Sequence, residues 1–257
     1  MKKLLTAAVL SVALSAGAFA QAITTNAFDF GADYDGSPGW TNGANAGFGF
    51  GAWSFNEVDG TGGAGVFIGD PSFAGISGMS AQSFGLFANP QGSGASITAT
   101  RPLSTALQVG QTFSLQWGIN WDGDNSTFGN KGFNLFVGAT QVVNVNNGGN
   151  ANINFNSINT GMGFGTQVMT WSFTYTNPTT LAVTANDRDG TGTFSTNITV
   201  SGGISSFSIY ANELGPGDAR QPYYNDFAVT VPEPSTYALL ALSAAAFGGY
   251  VIRRRRR

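Results

Sequence analysis

Two acids two residues apart on a strand project from one face, the arrangement a carboxylate pair needs for acid–base work on a glycosidic bond. Glu57-Val58-Asp59 has that spacing. Asp59-Gly60 opens a turn directly after it, and position 61, where a third acid would sit, is Thr61. The pair reads as a solvated strand end, and the expectation is a body without catalytic activity. Histidine and cysteine are absent, which excludes Ser-His-Asp and Cys-His catalysis, imidazole metal sites and disulfides. No glycine precedes Lys-Ser or Lys-Thr, so a phosphate-cradling loop of the Walker type is missing too.

Hard cations take oxygen ligands, and two loop sequences gather them: Asp122-Gly123-Asp124-Asn125 and Asn186-Asp187-Arg188-Asp189-Gly190. Asp122, Asp124, Asp187 and Asp189 are therefore the candidate calcium ligands. Neither loop has EF-hand spacing, and capping of the backbone by turn Asp and Asn is the alternative. No other cofactor is expected. Trp40, Trp53, Tyr223 and Tyr224 fall outside the regular alternating runs; if exposed, they are the candidate sugar-stacking rings, with core filling as the alternative. Extracellular polysaccharide is the partner such rings would take. Between Gln21 and Val231 the only bases are Arg101, Lys131, Arg188 and Arg220, against thirteen acids. Phosphate backbones are held by clustered Lys and Arg, so no nucleic-acid partner is expected.

The elements that must position these residues are strands. Gly, Asn, Ser, Thr and Phe dominate the body, which suits short strands and tight turns and not helices. Phe113, Leu115, Trp117, Ile119 and Trp121 alternate with Ser114, Gln116, Gly118 and Asn120. Met169, Trp171, Phe173 and Tyr175 repeat the pattern, and Phe227, Val229 and Val231 close the body. Weaker runs, among them Phe48–Phe55, Phe133–Val137 and Phe207–Tyr210, are separated by clusters such as Asn146-Asn147-Gly148-Gly149. About a dozen strands without a helical period predict an all-β antiparallel sandwich, a jelly roll, over residues 21–231.

The two ends carry an address. Residues 1–20 read as a signal peptide: Lys2 and Lys3, an apolar run Leu4–Leu14, and Ala18-Phe19-Ala20 before Gln21. Residues 232–257 begin with Pro232-Glu233-Pro234, whose prolines fix φ and cannot continue a ladder. Tyr237 to Ile252 is an uncharged apolar run, slightly short of a hydrocarbon layer of ~30 Å if helical. Arg253, Arg254, Arg255, Arg256 and Arg257 end the chain as a stop-transfer block on the cytoplasmic side. A transmembrane helix is expected over the apolar run, so the tail makes the membrane a partner.

Val231-Pro232-Glu233-Pro234-Ser235-Thr236, then the short apolar segment, then the arginines, resembles the PEP-CTERM sorting signal of exported Gram-negative bacterial proteins. The resemblance implies recognition by an exosortase, a membrane-embedded transpeptidase, with processing near Pro232–Pro234. It also implies residence at the cell surface or in an exopolysaccharide matrix. Permanent anchoring as a single-pass membrane protein uses the same helix and is the rival. Gly39-Trp40-Thr41-Asn42-Gly43 with Gly47-Phe48-Gly49-Phe50-Gly51 is similar to the start of jelly-roll domains in other PEP-CTERM proteins, which implies a concanavalin-like sandwich.

Overall fold

The computed structural model describes residues 23–90, 92–120, 129–148, 152–163, 167–186, 193–215 and 217–232. Strands dominate them: β1 (Ile23–Asp29), β2 (Ser54–Val58), β3 (Gly63–Gly69), β4 (Ser83–Asn89), β5 (Ser96–Pro102), β6 (Thr112–Gly118), β7 (Asn130–Val137) and β8 (Thr140–Gly148). There follow β9 (Ile153–Phe155), β10 (Ile158–Asn159), β11 (Met169–Asn177), β12 (Thr180–Asn186), β13 (Thr193–Thr199), β14 (Ser206–Asn212) and β15 (Tyr223–Pro232). Helix among the described residues is limited to three short 3₁₀ turns. Residues 24–231 form one compact unit.

Two antiparallel sheets make a sandwich. The first runs β13-β12-β11-β6-β15-β4-β3, with β1 also paired to β15; the second runs β10-β9-β8-β7-β14-β5-β2. The predicted alternation sets which face is buried. Phe113, Leu115 and Trp117 of β6 lie opposite Phe173, Trp171 and Met169 of β11, and all six are fully buried. Facing them from the second sheet are Phe207 and Phe133, with Phe113–Phe207 ring centroids 5.1 Å apart and Trp117–Phe133 5.6 Å apart. Edge-to-face and offset rings at such separations are preferred over flat sandwiches and bury large apolar area. Tyr224 ties the sheets together, its hydroxyl donating across the core to the Gly132 carbonyl at 2.8 Å. Complete burial pushes that phenol well above its ordinary value.

One segment differs from the pattern expected of it, and the last strand carries an irregularity ahead of its alternating run. The run Phe48–Phe55 is strand only from Ser54 onward; Phe48 and Phe50 form isolated bridges to Phe28 and Leu103. Gly47 and Gly49, both at positive φ, break the ladder there. Strand β15 carries a bulge between Asn225 and Ala228, with Asp226 at φ 50°. A bulge resets the face on which later residues fall, and here it lets Phe227 enter the core as Tyr224, three residues before it, already does.

Asp226 sits half-buried in that bulge, and desolvation raises its pKa from 3.8. The native state thus favours the neutral acid: the contribution is fully present below 3.8 and lost as the pH rises through the raised folded value. Asn tolerates the left-handed conformation and carries no charge. Asp226→Asn is expected to raise Tm at pH 7, with the gain vanishing as the pH falls toward 3; calorimetry at both pH values checks this.

The outer face of the second sheet is uncharged. The rows Asn56–Thr98–Tyr210–Gly132–Asn146–Asn154 and Ser54–Thr100–Ser208–Asn134–Asn144 cross it strand by strand. Asn144 Nδ2 donates to Asn134 Oδ1 at 2.8 Å, Asn134 Nδ2 to Ser208 Oγ at 3.1 Å and Asn146 Nδ2 to the Tyr210 hydroxyl at 2.9 Å.

Candidate functional site

Edge strands β2 and β3 belong to different sheets, and an open groove of about 590 Å³ lies where they meet. Register decides what lines it. Phe55 and Glu57 pair with Ala99 and Ile97 of β5, whose side chains are fully buried, so both project to the inner side of the sandwich. From β3 come Ala64 and Val66, from β4 Phe87, and from the preceding loop Trp40, Thr41 and Asn42. Phe87 lies over Gly65, where a Cβ would stand 2.9 Å from the ring. Phe55 and Phe87 are half-buried, whereas Thr41, Asn42 and Glu57 are exposed. Asn42 Oδ1 accepts the Phe55 N–H at 3.0 Å, which turns its amide nitrogen away as the available donor.

The acid pair Glu57 and Asp59 is split. Asp59 Oδ1 accepts the Ala64 N–H at 3.1 Å and closes the turn, while Glu57 faces the groove with no partner among the described residues. Asp33 and Asp35 repeat the two-residue spacing, a signal readable in the sequence, and line a second pocket of about 240 Å³ with Asn45. Both are committed to structure: Asp33 Oδ2 accepts the Phe30 N–H at 3.3 Å, and Asp35 accepts from Gln82 Nε2.

Beneath these loops lies a buried charge centre. Arg101 and Asp29 are both fully buried and form an ion pair. Arg101 Nε donates to the Gly51 carbonyl at 2.9 Å, and Nη2 donates to Asn45 Oδ1 at 3.0 Å and the Ala46 carbonyl at 2.6 Å. Its Nη1 donates to the Tyr34 hydroxyl, which also accepts the Trp53 Nε1–H at 3.2 Å. The guanidinium carbon sits 5.3 Å from the Trp53 ring centroid and 5.2 Å from that of Phe50. Burial lowers the guanidinium to about 9, so it stays cationic at neutral pH beside Asp29. Burial also raises the Tyr34 phenol to about 12. Every donor of Arg101 is engaged with the protein, which makes the centre structural.

The four candidate sugar-stacking rings are corrected by the fold. Trp40 is 5% exposed, Trp53 1%, Tyr223 2% and Tyr224 0%. Trp40 packs edge-on against Trp53, Phe55 and Phe84 at 4.8–5.3 Å, and only its rim reaches the groove. Tyr223 is covered by Ala74, Ile76, Phe67 and Met79, and Tyr224 lies opposite fully buried Trp117 of β6, which points it into the core. Among the described residues the exposed rings lie elsewhere: Phe73 at 78%, and Phe28, Phe30 and Phe48 at 36%, 37% and 62%, the last three in a row with centroids 5.7 and 6.1 Å apart. The candidate calcium ligands Asp122, Asp124, Asp187 and Asp189 lie outside the described residues. Among the described residues no group of three acids is placed to hold a metal.

Strand β15 runs to Pro232, and the rest of the tail, with Glu233, Pro234 and Arg253 to Arg257, lies outside the described residues. Residues 230–257 match the family model described as the PEP-CTERM protein-sorting motif. The chain carries a PEP-CTERM tail. That motif implies export and recognition by an exosortase. Among the described residues no helix is long and apolar enough to cross a membrane; the apolar run of the PEP-CTERM tail is not among them. No curated protein matches the chain. Among solved structures, the receptor binding domain of botulinum neurotoxin D is 11% identical with a TM-score of 0.37; the match covers 72% of this chain and 48%, less than half, of that one. The cellulose induced protein Cip1 is 10% identical with a TM-score of 0.40, over 69% of this chain and 90% of that one.

Proposed function

We propose that the protein is exported, held by its tail in the inner membrane and then cut by an exosortase near Pro232–Pro234. A non-catalytic jelly-roll body, residues 21–231, then resides at the cell surface or in an exopolysaccharide matrix. The observation that carries this reading is the sorting motif at residues 230–257, which begins in the last residues of the last strand. The sandwich supports it. Strand β15 pairs with β6 through Thr230, so the prolines begin where the ladder ends and give an enzyme cleft a stiff extended peptide beyond the folded body. The residues 1–20 signal and the Arg253–Arg257 block both favour the cytoplasmic side, which leaves the body on the other.

Replacing Pro232, Glu233 and Pro234 together by Ala is the test. The unaltered chain is expected to lose its residues after the cut and appear outside the inner membrane, with intact mass reporting both ends. The triple variant is expected to accumulate uncut in the inner-membrane fraction. A mature chain of full length in the cytosol would end the proposal.

A further inference from the structure

We propose that the groove between β2 and β3 binds a neutral polysaccharide, with Glu57 and Phe87 as its contact residues. The walls pair two kinds of surface. Phe55, Val66 and Phe87 offer apolar faces to the C–H side of a sugar ring, and the Glu57 carboxylate, the Asn42 amide and the Thr41 hydroxyl offer hydrogen-bonding groups to its hydroxyls. The volume of about 590 Å³ falls among those of ligand sites, and the groove is open along the sandwich edge, as a chain passing through requires.

Charge selects among ligands. The Lys and Arg of the described residues are Arg101 and Lys131, both buried, and half-buried Arg220. Among the described residues no cation lines the groove and one carboxylate does, so uronate-rich or sulfated chains and phosphate esters are repelled. A carboxylate pointing inward from an edge strand also discourages edge-to-edge pairing. That role alone explains the charge of Glu57, but it requires neither the flanking half-buried rings nor the adjacent amide donor.

The inference rests on the body facing the outside, and its test is independent of sorting: the full chain, purified in detergent micelles, is titrated with neutral β-glucan and mannan hexasaccharides and with an alginate hexasaccharide. At least one neutral chain is expected to bind and alginate is not. Glu57→Lys keeps an inward charge on the edge while removing the acceptor; it is expected to weaken binding at least tenfold with unchanged Tm and oligomeric state. Phe87→Ala is expected to do the same, whereas Phe48→Ala, on the separate exposed aromatic row, leaves affinity unchanged. No binding of either neutral chain, affinity indifferent to Glu57→Lys, or alginate binding as tight as the neutral chains would overturn the proposal. The location of the mature protein, read from fractionation, stands or falls separately.

Discussion

Asp29→Ala lowers the stability of the sandwich by about 3–5 kcal/mol, the loss seen when one partner of a buried ion pair is removed. The figure follows from what stays behind. Arg101 is fully buried with every donor directed at a protein acceptor, and removing Asp29 leaves its charge among Phe50, Trp53 and Tyr34 without a counterion. Replacing both partners by apolar residues, Asp29→Leu with Arg101→Met, is expected to cost far less, because no uncompensated charge remains. Urea unfolding of the single and double variants measures the difference. A single variant within about 1 kcal/mol of the parent would show the pair to be inconsequential.

Trp53→Ala is expected to cost about 3–5 kcal/mol, as large-to-small changes of buried aromatics do. Its indole is 1% exposed and meets Trp40, Phe84, Phe207 and Phe227 at centroid distances of 5.3–5.8 Å, joining residues of both sheets. Trp53→Phe keeps part of the ring contact and loses the hydrogen bond to Tyr34, whose hydroxyl retains Arg101; a smaller loss is expected. Because Trp53 also lies under the guanidinium, its truncation and that of Asp29 share a partner. Their combined effect should depart from the sum of the singles, which a double-mutant cycle in urea detects.

Much of the sandwich is written in strand parity. The alternation at Phe113–Trp117 and Met169–Tyr175 marks the inner face of β6 and β11, and those residues are the core. The same parity carries a signal that is easily passed over. Arg101 shares a face with Ile97 and Ala99, and Lys131 with Phe133 and Leu135, so both cations point inward. What such a cation meets is not local: Asp29 is 72 residues from Arg101 in sequence. The exposure of the four candidate rings was illegible for two different reasons. Trp40 and Trp53 lie outside any strand, where side chains are ordinarily at the surface. Tyr223 and Tyr224 are adjacent, a pattern that strand periodicity cannot assign until the bulge and its neighbours are known. The groove was hidden similarly, because Phe55, Glu57, Val66 and Phe87 are brought together by sheet edges, not by spacing. The tail is the opposite case: its order of proline pair, apolar run and arginines is a signal local in sequence, and residues 230–257 match the sorting motif.

The amide and hydroxyl rows across the outer face of the second sheet have an environmental consequence. Asn134, Asn144, Asn146, Ser208 and Tyr210 hold one another through neutral groups. Dissolved ions screen charges and find none here to screen. A face built this way keeps the same internal contacts from fresh water to brine.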